Sequence, residues 1–125
     1  MKRYYKDLKR KVTIIPNRLI PFGDYATINL FGILFTKNKS GLLRNKDVNH
    51  ELIHTAQMKE LAYIGFYLWY GLEYLLIRLF HKKQGDAYAD VSFEEEAYNN
   101  EKDLSYLENR KHYCWLKYIK VKSND

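Results

Sequence analysis

Cysteine is almost absent from this chain. Cys114 stands alone among 125 residues, so no intramolecular disulfide can form and a reducing, cytoplasmic setting is natural. Proline occurs at two positions and glycine at six, so the breaks in regular structure are few and their places informative. Acidic residues are outnumbered by basic ones, 15 to 21, which gives a net charge of +6. No recognition motif accompanies that excess, so specific nucleic-acid binding is not expected. The charge reads instead as a solvated face, with Lys2, Arg3, Lys6, Lys9, Arg10 and Lys11 opening the chain and Lys117, Lys120 and Lys122 closing it. The basic N-terminus is followed by Pro16, Asn17 and Arg18 and not by a small-residue cleavage pattern, so it does not read as a signal peptide. There is no internal repeat and no low-complexity tract.

What is present is a globular composition, 46% hydrophobic and 29% charged, of a length that fits one domain. Such a chain buries a real but marginal core, which a bound metal would reinforce. Tyrosine occurs at twelve positions, so much of the core or its rim must be tyrosine, whose hydroxyls need hydrogen-bond partners.

Along the chain, Val12 to Ile15 is a β-branched run stopped by Pro16, and Pro21-Phe22-Gly23-Asp24 is turn chemistry. Tyr25 to Thr36 reads as extended structure, divided at Gly32 into two strands. The first third, residues 1–45, is therefore expected to form a small antiparallel sheet. Asp47 can cap a helix over residues 48–63, Gly65 interrupts it, and an apolar stretch runs from Phe66 to Phe80 before His81-Lys82-Lys83-Gln84-Gly85-Asp86. A third helix is expected from Ser92 through Arg110, opening on three glutamates that suit a helix N-terminus. Residues 46–112 are thus the helical part. The tail, 113–125, holds Tyr113 to Ile119 as a strand or a last helical turn. The whole reads as one α+β domain, a small sheet on about three helices.

Residues 50–54 read His50-Glu51-Leu52-Ile53-His54. Side chains four apart on a helix lie on one face about 6 Å apart, so both imidazoles can reach one zinc ion. Glu51 points beside such a metal, where it can take a proton from an activated water and pass it to a leaving group. The bland alternative is two histidines and a glutamate on an ordinary surface helix.

A catalytic zinc needs a third protein ligand and an open position. His81 and His112 are available, but Gln57 and Glu60 exclude the short HExxHxxGxxH arrangement. A carboxylate from a later helix is then the expected source. One candidate group is Glu94 to Glu96 in Phe93-Glu94-Glu95-Glu96-Ala97-Tyr98, whose bland reading is an acidic helix start. The other is Glu73, isolated among Tyr70, Leu72, Leu75 and Leu76. A turn near Gly65 would bring Glu73 level with His54, since each lies ~12–16 Å from the turn, whereas one continuous helix would hold them ~28 Å apart. Glu73 could equally be a buried, paired carboxylate or an acceptor that orients a histidine.

With these residues the chain resembles the minimal zincin-like metallopeptidases of the gluzincin type. It is similar in particular to a family of short bacterial proteins without an assigned substrate. The likeness runs through Asn29-Leu30-Phe31-Gly32, the Phe66-Tyr67-x-Trp69-Tyr70 segment with Glu73, and the acidic helix. The resemblance implies His50 and His54 as zinc ligands, Glu51 as base and Glu94 as third ligand, with Glu96 as the register alternative. Glu73 lies at a spacing that several gluzincins use. Tyr98 departs from the pattern, standing where relatives often place Asp or Asn to orient a histidine. The resemblance also implies a strand edge above the helix where an extended peptide lies, for which Tyr25 to Phe35 is the candidate. Tyr88, Tyr98 and Tyr106 are all available as oxyanion stabilisers.

Leu61 to Phe80 is about long enough to cross a bilayer. Its Glu73, Arg78, tyrosines and tryptophan favour a central packed helix. Peripheral membrane contact aided by Lys82 and Lys83 stays open. The function expected is zinc-dependent hydrolysis of a peptide or protein substrate by a cytoplasmic chain. The alternatives are a zincin-like binding or regulatory domain without useful turnover, and a basic nucleic-acid- or membrane-surface protein with structural zinc.

Overall fold

Val12 and Ile14 alternate with wetter neighbours, and this period-2 pattern sets the inner face of a four-stranded sheet. The computed structural model describes residues 2–20, 26–80 and 90–119. Its strands are β1 (Lys2–Tyr5), β2 (Arg10–Pro16), β3 (Thr27–Leu30) and β4 (Ile33–Thr36), in the order β1-β2-β4-β3. The helices are α1 (Asn45–Glu60), α2 (Ile64–Phe80), α3 (Ser92–Asn100) and α4 (Tyr106–Asn109), with a 3₁₀ turn at Cys114–Tyr118. The class is α+β, as expected. The turn segment Pro21 to Asp24 and the basic stretch from His81 to Asp86 lie outside the described residues.

The expected antiparallel sheet is instead mixed. β1–β2 and β3–β4 are antiparallel, but β2 and β4 run parallel, with Ile14 opposite Leu34 and Pro16 opposite Thr36. The reason is the tight hairpin at Phe31-Gly32, both at positive φ (55° and 92°). It folds β3 outward and slots β4 beside β2. Inward–outward alternation is the same in either strand direction, so sequence pattern cannot distinguish them. β3 becomes an outer strand of the sheet.

That edge is fastened to the helices. The Asn29 amide donates to the Glu51 carbonyl at 2.8 Å and to Thr55 Oγ1 at 2.7 Å, while its oxygen accepts from the Gly32 N–H at 2.8 Å. Tyr67 of α2 takes the Phe31 N–H and donates to the Asn29 carbonyl. Asn29→Ala would orphan several of these groups and is expected to cost about 1–3 kcal/mol, read as a lower Tm in thermal unfolding.

α1 lies between two apolar clusters. Val48 joins Tyr5, Leu8, Val12, Ile14 and Leu34 beneath the sheet. Met58 joins Phe66, Ile77, Val91, Phe93 and Trp115 among the helices. Three expected boundaries move. Asp47 is not the cap: Arg44 holds that position, and Asp47 sits in the first turn, bonded to Arg44 at 2.8 Å. The reversal after α1 falls at Ala62-Tyr63, both at positive φ. Gly65 lies inside α2, where a Cβ would come within 3.2 Å of Leu61. The third helix stops at Asn100, because the Asn49 amide draws the carbonyls of Glu101 and Asp103 to itself at 2.8 and 2.9 Å. The tail takes the helical-turn alternative. No helix among the described residues is long and apolar enough to cross a membrane.

Candidate metal centre

His50 and His54 project from one face of α1, four residues apart, and α3 brings Glu94 against them. Glu94 Oε1 lies 3.1 Å from His50 Nε2 and 3.1 Å from His54 Nε2, and the two Nε2 atoms are 3.2 Å apart. All three side chains are buried.

The outer nitrogens determine what that triangle means. His50 Nδ1 lies 2.7 Å from Glu101 Oε1, and that carboxylate also meets Lys46 at 3.3 Å. A carboxylate only accepts, so His50 Nδ1 carries the proton. His54 Nδ1 lies 2.8 Å from Gln57 Oε1. The Gln57 amide donates to the Phe93 carbonyl at 3.1 Å and to Glu96 Oε1 at 2.9 Å, which sets its oxygen toward His54. Nδ1 is therefore the donor in both rings, and each neutral ring turns a lone pair inward from Nε2. Two lone pairs and a carboxylate oxygen converge with no proton of their own between them, an arrangement that requires a cation or an added proton.

The spacing suits a metal. A tetrahedral zinc with bonds of about 2.0–2.1 Å holds its ligand atoms roughly 3.3 Å apart, close to the observed edges. Without metal, His54 takes up a proton. Burial opposes this, but the Glu94 charge and hydrogen bond override it and lift the imidazole to about 9. Burial likewise pushes the Glu94 carboxyl up, yet the His54 charge and the bonds from both imidazoles outweigh it and hold Glu94 far below the usual carboxylate range.

Glu51 is half-buried beside the triangle and lines two hollows: a cleft of about 560 Å³ reaching Arg44, Lys46 and Tyr98, and a pocket of about 230 Å³ lined by Met58, Phe66, Tyr67 and Tyr70. Burial pushes its carboxyl above the ordinary value, against the pull of His54 and His50. Thr27 of the edge strand borders both hollows.

The other candidates stand elsewhere. Glu73 is fully buried and accepts from the Ser92 N–H at 3.0 Å and from Ser92 Oγ at 2.6 Å, tying α2 to the start of α3. Glu96 is held by Arg110 at 2.5 Å and by Tyr106 at 2.6 Å. His112 is exposed beside Glu60. Tyr98 packs its ring on His50, with centroids 4.6 Å apart. Tyr106 turns to Glu96 and Cys114. His81 and Tyr88 lie outside the described residues.

Three residues went unread in the sequence. Glu101 orients His50 from just beyond α3. Its signal is the inward spacing Glu94, Ala97, Glu101. Gln57 orients His54, three residues on. Tyr70 donates to the second oxygen of Glu94 at 2.8 Å. It shares the inward stripe Phe66, Tyr70, Glu73, Ile77, which the isolated Glu73 already marks.

Gln57→Leu keeps the volume but removes the acceptor that fixes the His54 tautomer. If zinc occupies the centre, its affinity is expected to fall about 10–100-fold in chelator competition, with the helical circular dichroism unchanged. No protein-family model, no curated protein and no solved structure matches this chain.

Proposed function

We propose that this chain is a zinc-dependent metallopeptidase of the zincin-like, gluzincin type, with His50, His54 and Glu94 as ligands and Glu51 as general base. The observation that carries the reading is the convergence of His50 Nε2, His54 Nε2 and one Glu94 oxygen in a buried triangle, beside a carboxylate that lines open clefts.

His50, His54 and Glu94 would hold a zinc ion there, which would supply Lewis-acid polarisation of a substrate carbonyl and acidification of a bound water. Glu51 would take the proton of the attacking water and return it to the leaving amine. Tyr70 and Glu101 hold Glu94 and His50 in place from behind, and Gln57 does so for His54. The edge strand supports a peptide substrate. In the β3–β4 ladder, Lys37 donates to the Ala26 carbonyl. By alternation Thr27 then turns its N–H and C=O away from β4, toward an added strand. The pocket floored by Met58 and Phe66 suits an apolar substrate side chain.

The test is metal content with peptide hydrolysis. The purified chain is expected to bind one zinc. His54→Ala and Glu94→Ala should lose it, while Glu73→Ala should keep it. A chain that binds zinc but hydrolyses no peptide would favour the binding or regulatory domain. A chain that binds no stoichiometric metal would defeat both readings.

A further inference from the structure

A further groove, of about 620 Å³, runs between the first half of β2, the hairpin at Gly32, α1 and the segment holding Leu107 and Arg110. The α1 residues that line it are Leu52, Thr55, Ala56 and Lys59. At 100° per residue these form one stripe, roughly opposite the stripe that carries His50 and His54. A ligand here is separated from the metal centre by the width of the helix.

One wall of the groove is an open strand edge. The β2–β4 ladder begins with Ile14 opposite Leu34, and β4 itself starts at Ile33, so the first residues of β2 extend past it. On the other side the same residues are paired with β1, from Thr13 opposite Lys2 to Arg10 opposite Tyr5. The Asn17 N–H donates to the Thr36 carbonyl at 2.9 Å, which shows that the odd-numbered residues of this segment face β4. By alternation Lys11 turns its N–H and C=O the same way, where no strand of the sheet meets them, and Lys11 lines the groove.

The second property is charge. Arg10, Lys11 and Lys59 line the groove, are exposed, and make no ion pair among the described residues. Arg110 lines it too, but Glu60 and Glu96 already neutralise it. No carboxylate among the described residues lines the groove. Three like charges around one hollow repel one another, and an anionic occupant relieves that repulsion.

The two properties together select the occupant. A phosphodiester or polyphosphate chain offers acceptors to the cations but has no N–H to give the Lys11 carbonyl. An extended peptide brings an N–H and a C=O to the strand edge, and its carboxylate side chains meet the cations. We infer that this groove docks an extended acidic segment of a partner protein, added as a short strand beside Lys11 and held by Arg10, Lys11 and Lys59. The site shares no residue with the proposed zinc centre, so it stands or falls separately from the hydrolytic reading.

The probe is a fluorescein-labelled peptide of alternating Glu and Val, titrated with the full chain and read by anisotropy. Saturable binding is expected, weakened ~10-fold or more by Arg10→Glu and by Lys59→Glu, with circular dichroism unchanged because both side chains are exposed. Lys39→Glu, an equal charge reversal on an exposed residue outside the groove, should leave it within about 2-fold. The same peptide with alternate backbone nitrogens methylated should bind ~10-fold or more weakly in at least one of the two methylation registers, since it cannot pair with the strand edge. Absence of saturable binding overturns the proposal. So does equal binding of the parent peptide and both methylated peptides, which leaves charge attraction without strand pairing. An oligothymidylate of matching charge that binds as tightly as the peptide, or an equal loss with Lys39→Glu, overturns it as well, because the surface is then a general polyanion binder.

Discussion

Glu51→Gln is expected to keep one zinc per chain while peptide hydrolysis falls ~10²–10⁴-fold, the loss that follows removal of a positioned proton carrier. The separation of the two effects follows from geometry. The proposed ligand triangle is His50, His54 and Glu94, and Glu51 stands outside it on the cleft wall. Glutamine preserves shape and hydrogen bonding but cannot accept the proton. The Asn29 bond to this turn of α1 goes to the Glu51 backbone carbonyl, so the substitution leaves it intact. Parallel assays of zinc content and fluorogenic peptide cleavage read the two effects independently. Hydrolysis at the wild-type rate would remove Glu51 from its assigned role, and loss of zinc would make it a ligand.

Arg110→Ala should produce the largest loss of stability. The Arg110 guanidinium is buried between Glu96, at 2.5 Å through Nε, and Glu60, at 3.0 Å through each terminal nitrogen. Its side chain is 5% exposed, and those of the two carboxylates are 0% and 4%. Truncation leaves two buried carboxylates without their cation, a defect worth about 3–5 kcal/mol in chemical denaturation at neutral pH. Because Glu96 also holds the Gln57 amide, zinc affinity should fall with it.

The pH dependence of that defect has a definite sign. Burial pushes the Glu60 carboxyl up, but the Arg110 hydrogen bond, the Tyr113 N–H and the Arg110 charge together bring it below its ordinary value. The unfolded chain therefore binds this proton first. The contribution of Glu60 is complete above about pH 4.5 and is lost as pH falls through the folded value. Without Arg110, burial of Glu60 is opposed only by the Tyr113 N–H and His112, and the folded state holds its charge less firmly. The stability gap between wild type and variant should thus narrow as pH falls from 7 to 4. A gap that stayed constant would mean that the pair contributes packing and not charge.

Much of this molecule was settled by local sequence. The pairing of His50 with His54 depends only on helical periodicity, and the helix itself on an uninterrupted run without proline or glycine. The division of Tyr25 to Thr36 at Gly32 depends on one residue suited to positive φ. The opening of α3 at Ser92 follows from its acidic first turn. All of these are interactions over a few residues, where spacing in sequence is spacing in space.

What remained open in the sequence was the meeting of distant segments. Glu73, Glu94 and Glu96 are chemically alike, and each has a spacing that permits it to reach the histidines. They part company only because the reversal at Ala62-Tyr63 turns Glu73 toward Ser92, and because Arg110 and Tyr106 draw Glu96 to the far side of α3. The parallel pairing of β2 with β4, the approach of Glu101 to His50, and that of Tyr70 to Glu94 belong to the same class. Helical and strand periodicity specify which face a side chain occupies. Which partner that face meets is determined by packing the α1–α2–α3 core as a whole, and only the tertiary structure contains that information.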